Sequence, residues 1–242
     1  KVKLIEASSK LGGQINLAER LPGRSEFGGI TTNLANKLQR QNVEIKLNTK
    51  VSADFVMQEA PEVVILATGG KSYEPLIDGR ENAHVVTAWQ ILEGKANVGS
   101  RVAIADWRCD WVGLGLAELL ARQGCHVRLA CNGMVPGQTV NQYVRDNWLG
   151  KLHKLNVQTF THLRLHGIDS EDAYFQHTLS GEPVILNDVD TLVTAFGAGS
   201  FNNLEKELKN NFDTDLHVIG DALSPRTVEE AILDGLKAST II

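Results

Sequence analysis

The apolar positions of this chain alternate between two rhythms. Short unbroken runs such as VVIL at 63–66, VAIA at 102–105 and TLVTA at 191–195 have strand length, and between them apolar residues recur at helical spacing. The clearest unit is Arg101–Leu129. RVAIA reads as a strand, VGLGLAELLARQG as a helix closed by Gly124 at C′, and CHVRL as the next strand. A strand–turn–helix–strand of about thirty residues is the βαβ unit of dinucleotide-binding folds when its turn is glycine-rich.

The same pattern organises the rest. KVKLIE at 1–6 predicts a strand ending at Glu6, and its start at residue 1 suggests a chain continued from something longer. ITTNLANKLQRQN predicts a helix with Ile30, Leu34 and Leu38 on one face and Thr31 or Thr32 as its cap. VEIKL at 43–47 is a strand, 48–62 a connector, and 63–67 a strand buried on both faces that runs into Thr68, Gly69 and Gly70. A short helix is expected near Ala88–Leu92, and a long one over 139–156 with Val140, Val144, Trp148, Leu152 and Leu155 as its buried stripe. VQTFTHLRL, DAYFQHT and EPVIL read as an antiparallel meander that turns at SGE. TLVTAFG, a helix in FNNLEKELKN, the strand DLHVIGDA and a helix with Pro225 near its first turn complete the chain.

This order predicts an α/β protein of two Rossmann-like, three-layer units, one inserted into the other. The outer unit is expected over 1–89 plus 200–242 and the inner over 90–199. The nesting requires the strand at 215–220 to pair in one sheet with 2–6 and 63–67.

Composition narrows the chemistry. A formal net charge of −5 gives no electrostatic reason to expect nucleic acid or an anionic membrane. No apolar run approaches membrane-span length, and three cysteines without C-x-x-C spacing argue against a disulfide framework, a zinc site or an iron–sulfur cluster in this stretch. A cytoplasmic location follows. The seven histidines show neither metal spacing nor a triad partner, so no catalytic residue and no metal ligand is assigned. Glu6 ends its strand where dinucleotide folds place the acid that meets a ribose, with the glycine fingerprint expected about twenty residues upstream, before residue 1. The glycine pairs Gly12–Gly13 and Gly69–Gly70 permit close backbone approach to a ligand.

Taken together, E-A-S-S-K-L-G-G-Q, A-T-G-G, YVRDNWLGKLHKLNV and GDALSPRTVEEAILDG resemble the C-terminal region of the NADH:flavin oxidoreductase group. That group includes trimethylamine dehydrogenase, histamine dehydrogenase and 2,4-dienoyl-CoA reductase, and the resemblance covers essentially the whole chain. It implies that the outer unit binds FAD or ADP and that the inner unit is NAD(P)-binding-like with a degenerate glycine motif. By resemblance, Glu6 meets the adenine nucleotide's ribose, Gly12, Gly13 and Gln14 line the channel, and Val51 offers backbone contacts to the adenine. Ala67, Thr68 and Gly69 pass the nucleotide through their backbone, and Gly220 and Asp221 lie near the ribityl or pyrophosphate end, with the helix from Pro225 aiming its N-terminus at phosphate. FMN, an iron–sulfur cluster and the substrate pocket belong, on the same resemblance, to an N-terminal barrel that is this region's own partner. The implied function is the dinucleotide-binding part of a flavin-dependent amine dehydrogenase or demethylase. The alternatives are an NAD(P)H-dependent enoate or dienoyl reductase module and a non-catalytic docking module for an electron-carrier protein.

One feature departs from the fingerprint. Where G-x-G-x-x-G would stand, the chain reads DWRCDWVG, and only Gly113 survives. Asp106 and Asp110 are expected to repel a pyrophosphate and Trp107 and Trp111 to fill its volume, so this turn is not expected to hold NAD(P)H well.

Overall fold

The structure, a computed structural model, describes residues 1–211 and 215–241. From the N-terminus its elements are β1 (Lys3–Ile5), α1 (Ile15–Ala18), α2 (Gly28–Arg40), β2 (Glu44–Lys46), α3 (Ala53–Glu59), β3 (Val63–Leu66) and β4 (Gly70–Ser72). There follow β5 (Val85–Thr87), α4 (Ala88–Leu92), β6 (Arg101–Asp106), α5 (Trp111–Arg122), β7 (His126–Cys131), α6 (Gln142–Lys154) and β8 (Gln158–Phe160). The last are β9 (Leu163–Ile168), β10 (Ala173–His177), β11 (Pro183–Leu186), β12 (Thr191–Ala195), β13 (Ala198–Ser200), α7 (Asn203–Asn211), β14 (Asp215–Val218) and α8 (Val228–Ser239). Among the described residues no helix is long and apolar enough to cross a membrane.

The chain divides into two compact units. Lys1–Asn16, Glu26–Lys71 and Ala198–Ile242 form the outer one, and Leu17–Ser25 with Ser72–Gly197 the inner one. The boundary expected near residue 90 falls at 72, because β5 pairs in parallel with β12, Leu192 opposite Val85, and so joins the inner sheet.

The inner unit is an all-parallel sheet in the order β5-β12-β6-β7-β8. Alternation along β6 assigns its side chains to opposite faces. Val102 and Ile104 pack with Leu114, Leu116 and Leu120 of α5 and with Trp148 and Leu152 of α6, while Ala103 and Ala105 pack with Phe175 and Leu186 of the β9–β10–β11 meander. The third layer is therefore an antiparallel sheet. The expected meander begins one strand late, because VQTFTHLRL is two strands. β8 takes the edge of the parallel sheet beside β7, and His162, in a left-handed conformation with φ 56°, turns the chain out of it before β9. α5 is capped by Asp110, whose Oδ1 accepts the Val112 N–H at 2.8 Å, and it ends with Gly124 at φ 94°, the positive value a C′ residue needs.

The outer unit is built differently. β14 pairs in parallel with β3, Asp215 opposite Val63 through Val218 opposite Leu66, while β1 pairs in parallel with β2. These are two separate two-stranded ribbons, so the single sheet required by the nesting is met for 63–67 and not for 2–6. The backbone bonds beside β1, Glu44 N–H to the Val2 carbonyl and Glu6 N–H to the Lys46 carbonyl, all run towards β2. β3 was expected to be buried on both faces, yet Ile65 is 41% exposed, because a two-stranded ribbon covers its apolar side chains less completely than a wide sheet does. A small core of Ala53, Val56, Leu66 and Leu208 holds α3 and α7 to β3 and β14.

Three local expectations are corrected. The connector at 48–62 contains α3, which Ser52 caps by accepting the Phe55 N–H at 3.2 Å. α2 begins two residues early, with Phe27 at its cap position and no side-chain cap, and Thr32 Oγ1 donates back to the Gly28 carbonyl at 3.1 Å inside the helix. α8 starts at Val228, after Pro225, behind a capping box in which Glu230 Oε2 accepts the Thr227 N–H at 3.0 Å.

The difference between the cores has a measurable consequence. Leu120 is wholly buried and Leu236 is 61% exposed. Leu120→Ala is expected to destabilise the protein by roughly 2–5 kcal/mol, and Leu236→Ala by no more than about 0.5 kcal/mol, in urea unfolding followed by circular dichroism.

Candidate functional site

The candidate nucleotide-binding residues all lie in the outer unit and form two groups. In the first, Gln14 Nε2 donates to Asp221 Oδ2 at 2.7 Å across 207 positions of sequence. Asp221 Oδ1 accepts the Arg226 N–H at 3.1 Å. Gly220 takes φ 59°, and its N–H is held at 3.2 Å by Asp234 Oδ2, which also pairs with the Arg226 guanidinium. The loop after β3 joins this group, since a Cβ on Gly70 would stand 3.5 Å from Gln14 Nε2. Thr68 Oγ1 donates to the Phe201 carbonyl, and the Phe201 N–H returns a bond to the Gly69 carbonyl at 3.0 Å. Ala67 and Thr68 are exposed.

In the second group, Glu6 ends β1 with Oε1 accepting the Ser8 N–H at 2.7 Å. Its carbonyl accepts the Thr49 N–H at 2.9 Å, two residues before Val51, whose side chain packs on the α3 core.

The glycines differ in what surrounds them. A Cβ on Gly12 would stand 2.6 Å from Thr31 Oγ1, so Gly12 is required by the packing of its loop on α2. Gly13 and Gly69, with φ 49° and 75°, have nothing among the described residues within 4 Å of such a Cβ. Both present open space next to a backbone that only glycine adopts readily. The N-terminus of α8 is less available than expected for phosphate. Glu229 and Glu230 stand in its first turn, and the Thr227–Glu230 box takes up donors there.

The degenerate turn of the inner unit has the opposite character. Asp106, the last residue of β6, is buried, and a Cβ on Gly113 would lie 2.2 Å from its Oδ2. The surviving glycine of the fingerprint therefore makes room for the protein's own carboxyl. Oδ1 accepts the Cys109 N–H at 2.9 Å, and Oδ2 has no hydrogen-bond partner among the described residues. Burial, with the nearby Asp110 charge and then Cys109, pushes the Asp106 carboxyl well above its usual range. Asp110 is also raised by burial, against its bond from the Val112 N–H and the Arg108 guanidinium 3.7 Å away.

The expected mechanism of exclusion is corrected accordingly. Asp106 is held towards its neutral form with its carboxyl filling the space against Gly113, and Asp110 occupies the helix N-terminus. The indoles do not fill the cradle. Trp107 is 45% exposed and stacks on Phe196 at 6.0 Å, while Trp111 packs on the α5–α6 core beneath the Arg24 guanidinium at 5.4 Å. The contact of Asp106 with Gly113 went unread in the sequence. Its signal was an acid closing an otherwise apolar strand, with the remaining glycine seven positions later.

No family model matches this chain. It is 26% identical over 275 residues to an N,N-dimethylglycine/sarcosine dehydrogenase of Chromohalobacter salexigens, which covers 98% of this chain and 40% of that protein. It is also 26% identical over 243 residues to a bilirubin reductase of Mediterraneibacter gnavus, covering 100% of this chain and 37% of that protein. Among solved structures, the 6-hydroxypseudooxynicotine amine oxidase of Pseudomonas geniculata superposes with a TM-score of 0.90 at 25% identity, over 98% of this chain and 37% of that one. These relatives are oxidoreductases, and the chain spans about two fifths of their length.

Asp106 sets a pH dependence. Its folded pKa lies above its unfolded value of about 4, so above that pH the folded chain holds the extra proton and stability falls as pH rises. Asp106→Asn keeps an acceptor for the Cys109 N–H and cannot ionise. The stability of this variant relative to the parent is expected to grow from pH 4 upward in urea unfolding. A difference that stays flat to pH 8 would mean that burial does not raise Asp106.

Proposed function

We propose that the outer unit binds FAD or ADP, and that the chain is the C-terminal dinucleotide-binding part of a flavin-dependent oxidoreductase of the amine dehydrogenase or demethylase type. The observation that carries this is the contrast between the glycines. Gly13 and Gly69 border open space, whereas Gly113 borders the carboxyl of Asp106. A pyrophosphate needs close backbone approach, which the outer unit leaves open and the inner turn does not.

In this assignment Glu6 accepts from the ribose hydroxyls, and the Gly12–Gly13–Gln14 loop and the Ala67–Gly69 backbone flank the nucleotide. Val51 meets the adenine through its backbone, and Gly220 and Asp221 stand at the ribityl or pyrophosphate end, where the Gln14–Asp221 bond fixes both side chains. A bound flavin would supply one- and two-electron transfer, whereas ADP would serve only structure. The open edges of the β1–β2 and β3–β14 ribbons suit a further strand contributed by preceding polypeptide, which the length of the relatives provides. That preceding part would be the barrel that holds FMN, an iron–sulfur cluster and the substrate pocket, and an electron-carrier protein would be the further partner. The bilirubin reductase relative favours a second assignment, an NAD(P)H-dependent reductase module. The filled turn at Asp106 argues against it.

The test uses the longer polypeptide that carries this region. Mass spectrometry of the nucleotide released on denaturation is expected to find stoichiometric FAD or ADP. Glu6→Ala, which leaves the backbone bonds of Glu6 in place, is expected to raise the dissociation constant of the nucleotide at least about tenfold, the loss of one charge-assisted hydrogen bond. Micromolar NADH binding with no bound adenine nucleotide would overturn the assignment.

A further inference from the structure

The turn that excludes phosphate holds a second feature that the nucleotide assignment leaves unused. Cys109 and Cys131 meet at the carboxyl edge of the inner sheet. Cys131 ends β7 directly opposite Asp106 of β6. Cys109 folds back over the same point, its N–H on Asp106 Oδ1 at 2.9 Å and its Sγ 3.8 Å from the Asp106 carbonyl. The Cys109 Sγ also lies 2.9 Å from Asn132 Oδ1, and a Cβ on Gly133 would stand 3.0 Å from it, while Cys131 Sγ points to the Gly133 carbonyl at 3.7 Å. Both sulfurs therefore stand against Gly133.

This arrangement is fixed from several sides. Cys109 adopts a left-handed backbone with φ 49°, uncommon for a non-glycine residue. Its carbonyl accepts both the N–H and the Oγ1 hydroxyl of Thr139, each at 3.1 Å. The unpartnered Asp106 Oδ2 lies on the other side of the same turn. Both cysteines are buried, and Cys109 follows two exposed residues, Trp107 and Arg108. The neighbouring Cys131 thiol, opposed by burial, draws the Cys109 thiol below its ordinary range, and Cys109 in turn pushes Cys131 up. The third thiol is remote. Cys125 precedes the opposite end of β7, a strand length of about 20 Å from Cys131, and bonds the Gly99 carbonyl.

We propose that Cys109 and Cys131 form a redox-active dithiol, a modification site that a hydroperoxide closes to a disulfide. The Cys109 thiolate attacks the peroxide oxygen, an S–O bond forms, the O–O bond breaks, and the leaving oxygen takes up a proton as water or alcohol. The Cys131 sulfur then attacks the sulfenic sulfur. The S–S bond forms, the S–O bond breaks, and water leaves with the Cys131 proton. The two thiols lose two electrons and two protons in total, and the hydroperoxide is reduced. The closed ring encloses all of α5, so the switch acts on the helix that the Asp106–Gly113 contact positions.

The test is stoichiometric hydrogen peroxide on the purified protein, then alkylation in denaturant and peptide mapping. The expected product is a linked peptide pair joining Cys109 to Cys131 with two hydrogen atoms lost, while Cys125 is alkylated in full. The oxidised protein should unfold at higher urea than the reduced one, and dithiothreitol should remove the difference. Cys131→Ser should leave Cys109 as a sulfenic acid trappable by dimedone, with no linked pair. Because the mapping uses the parent protein, a variant that fails to fold does not decide the result. Alkylation of all three cysteines after peroxide, or oxidation of Cys109 to the sulfinic acid in the parent without pairing, would overturn the proposal.

Discussion

The inner unit depends on the fit of the Asp106 carboxyl against Gly113. A parallel α/β unit ordinarily leaves its first strand–helix turn open, because a phosphate arrives to satisfy the helix N-terminus. Here that demand is met from within the chain. Asp110 takes the Val112 N–H, Asp106 takes the Cys109 N–H, and the absence of a Cβ at Gly113 lets the second oxygen of Asp106 sit against α5. A buried carboxyl with one unpartnered oxygen is costly, and the chain lowers that cost by favouring its proton. The glycine that in a nucleotide-binding turn serves close packing with a ligand in place thus serves the same packing with a side chain.

The outer unit makes the opposite choice. Its strands are paired two by two, its core is small, and large apolar side chains such as Ile65, Leu34 and Leu236 remain exposed. Yet its loops are firmly placed. The Gln14–Asp221 bond, the Asp234 clamp on the Gly220 N–H, and the reciprocal bonds between 68–69 and Phe201 hold four separate stretches of chain together. The loops are thus ordered around glycines that face open space, on strands paired two by two.

Much of this was legible in the sequence. The two rhythms of apolar spacing locate β3, β6, β12, α4, α5 and α6, because each carries a mainly apolar run or an apolar stripe at helical spacing. What was lost depended on a single residue or on pairing. α3 hides in a polar connector and is marked only by Ser52. β8 and β9 read as one strand, since only the left-handed His162 divides them. The separation of β1–β2 from β3–β14 is a matter of strand neighbours, which no local pattern encodes. Among the site residues, the spacing suggested Gly12, Gly13 and Gln14 alike. Their roles separate only in three dimensions, with Gly12 packing on Thr31, Gly13 facing open space and Gln14 reaching Asp221.

A degenerate motif is usually taken as decay, and decay has a physical signature: lost packing, unfilled space and unpaired donors. The turn at 106–113 shows little of this. Its helix is capped, its glycine is in tight contact, and its strand end is bonded. The one group left without a partner, Asp106 Oδ2, is buried against the helix and not exposed as a remnant. Reverting Asp106 to a small residue would therefore open a cavity beside Gly113 without recreating a cradle. The backbone at Cys109 is fixed by its bonds to Asp106 and Thr139, and Asp110 would still hold the helix N-terminus. Recovering a phosphate site needs the cap, the carboxyl and the left-handed cysteine changed together.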